Sequence, residues 1–219
     1  YIGSSGNMNL LNADTKYLYG GKIYNSGTIT IPSGAGDFHG ANTAAMYNQS
    51  SGIVDIKTDG RIYSSGSSYG FTFNNTGTLK KSIGNGTATL ENLSFTNTGT
   101  VQVESGTLNI NSYNNSPGHT GTFTLTAGTT LIFDGNSDQH LGDNAVINGS
   151  GTVQVTNHNT NLKGETNGTI FGSGITLEFS SGSIGGPGKA TINGTMNWTG
   201  GDLYGTLIIP ESAQLNISG

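Results

Sequence analysis

The chain contains no cysteine, and its only arginine is Arg61. Without cysteine no disulfide bond can form, so the stability of the fold must come from packing and hydrogen bonds. The net charge of −5 argues against nucleic-acid binding, which requires a basic patch. Charged residues make up only 10% of the sequence, which is atypical of a disordered chain. No apolar run approaches the roughly 18 residues of a membrane span, so none is predicted.

Glycine is abundant instead, with 37 copies, and many of them precede short strand-like segments. Seven such segments align on one glycine, and the gaps between successive aligned glycines are 25, 25, 22, 22, 30 and 43 residues. A unit that recurs at a period of about 20 to 50 residues is typical of a solenoid. The aligned glycines are Gly27, Gly52, Gly77, Gly99, Gly121, Gly151 and Gly194.

A second glycine follows seven residues after the first in several copies, as in the pair Gly99 and Gly106. Each glycine of such a pair precedes a segment of four or five strand-forming residues. One unit therefore contains at least two short strands joined by a tight turn, followed by a third stretch of variable length. Glycine suits such turns because it adopts positive φ without a steric penalty. Asn often precedes the glycines and is the next most tolerant residue at positive φ.

The strand-like segments alternate between apolar and polar residues. Counted from the aligned glycine, positions +2 and +4 are nearly all aliphatic or aromatic, whereas +1 and +3 are mostly Thr, Gln, Asp or Asn. This period of two predicts strands with one buried face, stacked about 4.8 Å apart in aliphatic ladders. Lys81 occupies a +4 position, and it predicts either a slip in register or a local distortion of the coil.

The repeat predicts an all-β fold, a parallel β-helix (β-solenoid) of roughly nine coils of about 20 to 25 residues each. We expect a single β-helix domain over residues 1–219. No polar capping unit is recognisable at either end, so we expect the chain to be a fragment of a longer repeat protein. The 30-residue gap between Gly121 and Gly151 predicts a loop insertion over residues 133–143.

Several segments resemble a known family. SGTLNI, TAGTTLIF and GSGTVQV, with the closing stretch GTMNWTGGDLYGTLIIPESAQLNISG, are similar to the repeats of large bacterial secreted surface proteins, including filamentous-haemagglutinin-like and autotransporter-type adhesins. The resemblance covers the chain from about residue 20 to its last residue. It implies a single-stranded right-handed parallel β-helix, an extracellular or cell-surface location, and an elongated stalk that presents a surface. It implies no catalytic residue.

Two functions are compatible with this fold. The first is a structural or adhesive segment that acts as a stiff spacer or binding surface, with a cell-surface glycan, a protein or further copies of itself stacked end to end as partners. The second is a carbohydrate-binding β-helix, or a carbohydrate-active one similar to polysaccharide lyases and hydrolases. A hydrolase needs paired carboxylates, but the 13 acidic residues are scattered singly. We therefore predict that the chain is not an enzyme.

One loop has the composition of a cation site. Asp134, Asn136 and Asp138 alternate along the sequence as the oxygen ligands of calcium loops do. Glycine is missing at the sixth position of the loop and glutamate at the twelfth, where Gln139 and Ala145 stand. A solvated loop without a metal is the alternative.

Aromatic residues offer a second kind of site. Trp198, Tyr204, Tyr63 and Tyr69 are candidates for platforms that pack against sugar rings, and packing within the coils is the alternative. Trp198 lies at a +4 position and is predicted to face inward.

Overall fold

The computed structural model describes residues 1–65, 70–112, 118–134, 138–156 and 159–219, which form short β-strands. The strands of the first half are β1 (Asn7–Asn9), β2 (Lys16–Tyr19), β3 (Lys22–Asn25), β4 (Thr28–Ile31), β5 (Phe38–Ala41), β6 (Ala45–Asn48), β7 (Ile53–Ile56), β8 (Arg61–Tyr63), β9 (Thr72–Asn75), β10 (Thr78–Lys81), β11 (Thr87–Glu91), β12 (Ser94–Asn97), β13 (Thr100–Val103) and β14 (Thr107–Asn111). Those of the second half are β15 (Thr122–Leu125), β16 (Thr130–Asp134), β17 (Gln139–Leu141), β18 (Val146–Gly149), β19 (Thr152–Val155), β20 (Asn159–Leu162), β21 (Thr169–Phe171), β22 (Thr176–Phe179), β23 (Ser183–Gly185), β24 (Lys189–Ile192), β25 (Thr195–Trp198), β26 (Asp202–Leu203), β27 (Thr206–Ile208) and β28 (Gln214–Ile217).

These strands form four parallel sheets. Sheet I has ten strands in the order β1-β4-β7-β10-β13-β15-β18-β21-β24-β27, and sheet II has ten in the order β2-β5-β8-β11-β14-β16-β19-β22-β25-β28. Sheet III contains β3, β6, β9 and β12, and sheet IV contains β17, β20, β23 and β26. Each coil runs through sheet I, then sheet II, then a third side, which is sheet III in the first half of the chain and sheet IV in the second.

The architecture is therefore a parallel β-solenoid of about nine turns, as the repeat predicts. The core is a column of apolar side chains that point inward from the three sides, and Ile29, Val54, Leu79, Val101 and Phe123 form one of its ladders, with none of them exposed. None of the described segments is an apolar helix long enough to span a bilayer.

The glycine alignment is wrong in its last two members. The glycines from Gly27 to Gly121 precede strands of sheet I, whereas Gly151 and Gly194 precede β19 and β25 of sheet II. The true counterpart of Thr122 on sheet I is Val146, not Thr152. Strands of sheet I and of sheet II both begin at the Thr of a Gly-Thr pair, so the sequence alone cannot tell to which sheet such a strand belongs. The 30-residue gap thus compares two sheets and does not support an insertion over residues 133–143.

The two glycines of each pair are required for different physical reasons. The second of each pair has positive φ, as expected, with a value of 63° at Gly106. The first does not have positive φ but lies against the previous coil: a Cβ atom at Gly99 would be 2.3 Å from the carbonyl oxygen of Gly77. Close stacking of the coils, not the turn conformation, therefore requires the first glycine.

The asparagines near these glycines also differ from expectation, because they form a buried ladder. Asn25, Asn48, Asn75 and Asn97 face inward and are at most 1% exposed. The Nδ2 of each of the first three donates to the Oδ1 of the next asparagine at 2.7–2.8 Å. Each Nδ2 also donates to a backbone carbonyl of the following coil, such as that of Thr100 for Asn75. The ladder ties four successive coils together through side chains.

Lys81 causes neither a register slip nor a break in the strand. It pairs in register with Ile56 and Val103, and its side chain is fully buried. The ammonium group reaches the corner of the coil, where Nζ donates to Asp59 Oδ1 at 2.8 Å and to the carbonyl oxygens of Ile83 and Gly84. The aliphatic stem thus takes the place of an apolar ladder residue while the charge is paired.

Candidate functional site

Five outward-facing residues of sheet II form a cluster that we call the aromatic patch: Tyr17, Tyr19, His39, Arg61 and Tyr63. Strand alternation turns them away from the core, while Leu18 and Ile62 between them point inward. The register then places Tyr17 beside His39 and His39 beside Tyr63 on adjacent strands. Residues from three coils therefore meet on one surface.

The rings of the aromatic patch contact one another. Tyr17 and Tyr19 lie nearly parallel, with centroids 5.6 Å apart, and His39 meets both edge-on at 5.2 and 5.9 Å. Tyr63 packs on the other side of His39 with a centroid separation of 4.6 Å. The two outer tyrosines are 57% and 60% exposed, and they lie on β2, the first strand of sheet II.

Arg61 connects the rings to two carboxylates. Its guanidinium carbon lies 4.4 Å from the centroid of Tyr63, a cation–π contact. Nη2 donates to Asp37 Oδ2 at 2.8 Å and Nη1 to Glu91 Oε2 at 3.0 Å. The hydrogen bonds that Arg61 donates to Asp37, and then the one to Glu91, raise the pKa of Arg61 above its ordinary value. Arg61 and its two partners, Asp37 and Glu91, together carry one net negative charge at the edge of the patch.

His39 is held in one orientation below this surface. Its Nε2 accepts the backbone N–H of Ser65 at 3.2 Å and lies 2.8 Å from the same residue's hydroxyl. Burial lowers the pKa of His39, which favours the neutral ring. With Nε2 as acceptor, the proton is on Nδ1, which is buried without a hydrogen-bond partner among the described residues.

The aromatic residues proposed from the sequence lie in different places. Tyr63 belongs to the aromatic patch, whereas Tyr69 lies outside the described residues. Trp198 is half-buried against Phe179, with ring centroids 6.0 Å apart, which agrees with the predicted inward position. Tyr204 is 72% exposed at the other end of the chain, where its hydroxyl donates to Asp202.

Sequence reasoning missed Tyr17, Tyr19 and the role of His39. Two signals could have identified them. Seven of the nine tyrosines fall within the first 69 residues. The segment Lys16–Tyr19 alternates so that both of its tyrosines share one face of a strand.

The proposed calcium loop is only partly described. Asp134 ends β16 and Asp138 lies just before β17, while Asn136 lies outside the described residues. Within the described ranges, no group of three or more His, Cys, Asp or Glu residues is arranged to hold a metal ion. Calcium binding by Asp134, Asn136 and Asp138 therefore stays a prediction. Gln139 beside them is buried, and its Nε2 donates to the carbonyl of Ser112 at 2.7 Å.

Sheet II carries a second surface feature farther along the solenoid. A shallow depression of about 440 Å³ is lined by Thr152, Gln154, Thr156, Glu178 and Ser180. Glu178 accepts a hydrogen bond from Asn197 Nδ2 at 2.7 Å, so its carboxylate is fixed in position. This depression is polar and has no aromatic lining, which makes it a weaker candidate for a ligand site than the aromatic patch.

A fully buried histidine, His119, lies where the third side changes from sheet III to sheet IV. Its ring contacts Phe95 and Phe123, each with a centroid separation of 5.4 Å. Nδ1 accepts the backbone N–H of Asn97 at 3.1 Å. Burial, with a smaller contribution from His140, lowers the pKa of His119 to about 3.

His119 should make the fold sensitive to acid. Its pKa is lower in the folded state than the ordinary value of 6.5, so stability is complete above pH 6.5 and falls as the pH approaches 3. The loss is about 1.4 kcal/mol per pH unit, or about 2 kcal/mol at pH 5. Urea unfolding at pH 7 and at pH 5 measures this loss of stability. The His119→Asn variant keeps an acceptor for Asn97 but does not titrate, and it should lose about 2 kcal/mol less over this range. An equal loss in both proteins would contradict the assignment.

These features define a class: a parallel β-solenoid with stacked, hydrogen-bonded coils and an aromatic, charged patch on one sheet. No known protein family, curated protein or solved structure matches this chain.

Proposed function

We propose that the chain is a non-catalytic segment of a secreted or cell-surface protein, in which the solenoid is a stiff spacer that presents a binding surface on sheet II. We propose the same kind of role as in the filamentous-haemagglutinin-like and autotransporter-type adhesins that its repeats resemble. The observation that carries the proposal is the continuity of sheets I and II, each with ten parallel strands.

Continuity matters because stiffness depends on every coil being bonded to the next. Backbone hydrogen bonds join the coils along both sheets, and the asparagine ladder adds side-chain links between four of them. Bending the rod would require stretching these bonds on one side. The absence of cysteine fits this mode of stabilisation, since stacking replaces disulfide bonds.

The carboxylates of sheet II support a non-catalytic role. Asp37 and Glu91 approach each other through a shared partner, because both are ion-paired with Arg61. A glycoside hydrolase instead needs one carboxyl group that carries a proton to the leaving group. The charged part of the aromatic patch is better suited to hold a ligand than to cleave it.

A distance measurement tests whether the solenoid is a stiff spacer. The chain has no cysteine, so Ser5→Cys and Ser212→Cys introduce two labelling sites, one in the first coil and one in the last. Nine inter-strand spacings predict a spin-label separation of about 45 Å with a narrow distribution, measured by double electron–electron resonance. The same doubly labelled chain in denaturant is the control and should give a broad distribution. A broad or much shorter distribution in native buffer would refute the stiff rod.

A further inference from the structure

The aromatic patch has properties of a ligand site that packing alone does not explain. Tyr17 and Tyr19 contribute little to the core, yet they form an ordered, nearly parallel pair that stays more than half exposed. Clusters of exposed aromatic rings often mark a surface that binds a ligand or a partner. Aromatic rings with a polar edge recur where proteins bind partners that have both an apolar face and hydroxyl groups.

His39 independently indicates that the patch has a binding partner. It is 4% exposed, and its Nδ1 is buried among the tyrosine rings without a hydrogen-bond acceptor in the described part of the chain. A buried donor left without an acceptor costs about 1–3 kcal/mol. A ligand oxygen can reach Nδ1 only when one of the enclosing rings turns aside, and it would then remove this cost. The unmet donor therefore points to a ligand that carries oxygen acceptors.

The charges of the patch select the class of ligand. Arg61 is neutralised by Asp37, and Glu91 adds an excess negative charge. An anionic ligand would be repelled, and Arg61 is not available to it as an unpaired cation. Hydroxyl groups, in contrast, can donate to the carboxylates of Asp37 and Glu91 and accept from the guanidinium of Arg61.

From these observations we propose that the aromatic patch binds a neutral glycan, with a hexopyranose ring packed on Tyr17 and Tyr19 and its hydroxyls bound by Arg61, Glu91 and His39. The proposal rests on the binding surface assigned to the solenoid above and adds its position and ligand class. Neutral hexoses fit because their rings have an apolar C–H face and hydroxyl edges, matching the aromatic and charged halves of the patch.

Calorimetric titration of the full chain tests the proposal. The probes are neutral gluco-, manno- and galacto-oligosaccharides, and an oligogalacturonate serves as the anionic comparison. We expect at least one neutral oligosaccharide to bind and the oligogalacturonate not to bind. The Tyr17→Ala, Tyr19→Ala double variant should weaken binding by about tenfold or more. Circular dichroism melting confirms that the variants are folded.

Matched controls locate the binding on the solenoid. Tyr204→Ala removes an exposed tyrosine at the far end, and Tyr24→Ala disrupts the stacked pair Tyr24 and Tyr47 on sheet III, with ring centroids 4.9 Å apart. Neither change should alter binding. Equal loss in a control would show that the site lies elsewhere and would overturn the proposal.

Three other outcomes would also refute the neutral-glycan proposal. If no neutral oligosaccharide binds at millimolar concentration, or if the anionic one binds better, the ligand class is wrong. If sedimentation shows a dimer that the tyrosine double variant abolishes, the patch is a contact between copies of the chain. A narrow distance distribution in the labelled chain would leave the spacer role intact in each case, so the failures are distinguishable.

Discussion

Replacing Asn75 by alanine is expected to lower the free energy of unfolding by about 4 kcal/mol. Asn75 is an inner rung of the asparagine ladder and takes part in three side-chain hydrogen bonds, with Asn48, Asn97 and the carbonyl of Thr100. The substitution leaves Asn97 Oδ1 buried without its donor and opens a small cavity. An unsatisfied buried group costs about 1–3 kcal/mol, and the lost bond to Thr100 and the cavity add to it.

The neighbouring Asn74 is the matched control. It lies on the same strand but faces outward, so Asn74→Ala should change stability by less than about 0.5 kcal/mol. Urea unfolding followed by circular dichroism measures both variants against the parent chain. Similar losses at the two positions would show that the ladder is not the source of the effect.

Replacing Lys81 by glutamate should have an even larger effect, a loss of about 5 kcal/mol or complete failure to fold. The side chain is fully buried, and its ammonium group is the donor to Asp59 and to two backbone carbonyls. A glutamate there would bury an unpaired negative charge that faces another carboxylate. A charge buried without a partner costs about 3–5 kcal/mol, and the repulsion from Asp59, whose side chain is 45% exposed, adds to this.

Two further variants keep this prediction testable if the glutamate variant does not fold. Lys81→Met retains the apolar stem and removes the charge, so we expect a smaller loss of about 1 to 2 kcal/mol. Lys80→Glu changes the outward neighbour, which is partly exposed and pairs with the buried Asp55; it should cost less than Lys81→Glu, because Asp55 keeps Lys57 as a partner. Thermal melts should rank Lys81→Glu below Lys81→Met and Lys80→Glu. Any other order would show that burial of the charge is not decisive.

The class of fold could be predicted because its determinants are local. The alternation of apolar Val101 and Val103 with polar residues indicates a strand with one buried face. The recurrence of that pattern along the chain indicates that such strands are stacked. The sheet to which a strand belongs is not determined locally, and the sequence-based assignment was wrong at Gly151. Two sides of the coil share one motif, so only the hydrogen-bonded register, such as Thr122 with Val146, tells them apart.

The candidate site was harder to predict because its members are far apart in sequence. Tyr17, His39 and Tyr63 meet only when three coils of unequal length are stacked in the correct register. The buried asparagines were misjudged for a similar reason. Asn75 near a glycine suggests a turn, and only the neighbouring coils show that its amide has partners on both sides.

The replacement of sheet III by sheet IV gives the rod an internal boundary. In repeat arrays each coil contacts only its neighbours, so the weakest interface decides where cooperativity ends. At this boundary the described residues of the third side are joined by the backbone hydrogen bonds from Thr120 and Gly121 to Asn97 and by one bridge, between His119 and Leu141. We expect two folding units to meet here, one containing the asparagine ladder and one beyond it. Protonation of His119 would uncouple them first, and amide hydrogen exchange would then differ between the two halves.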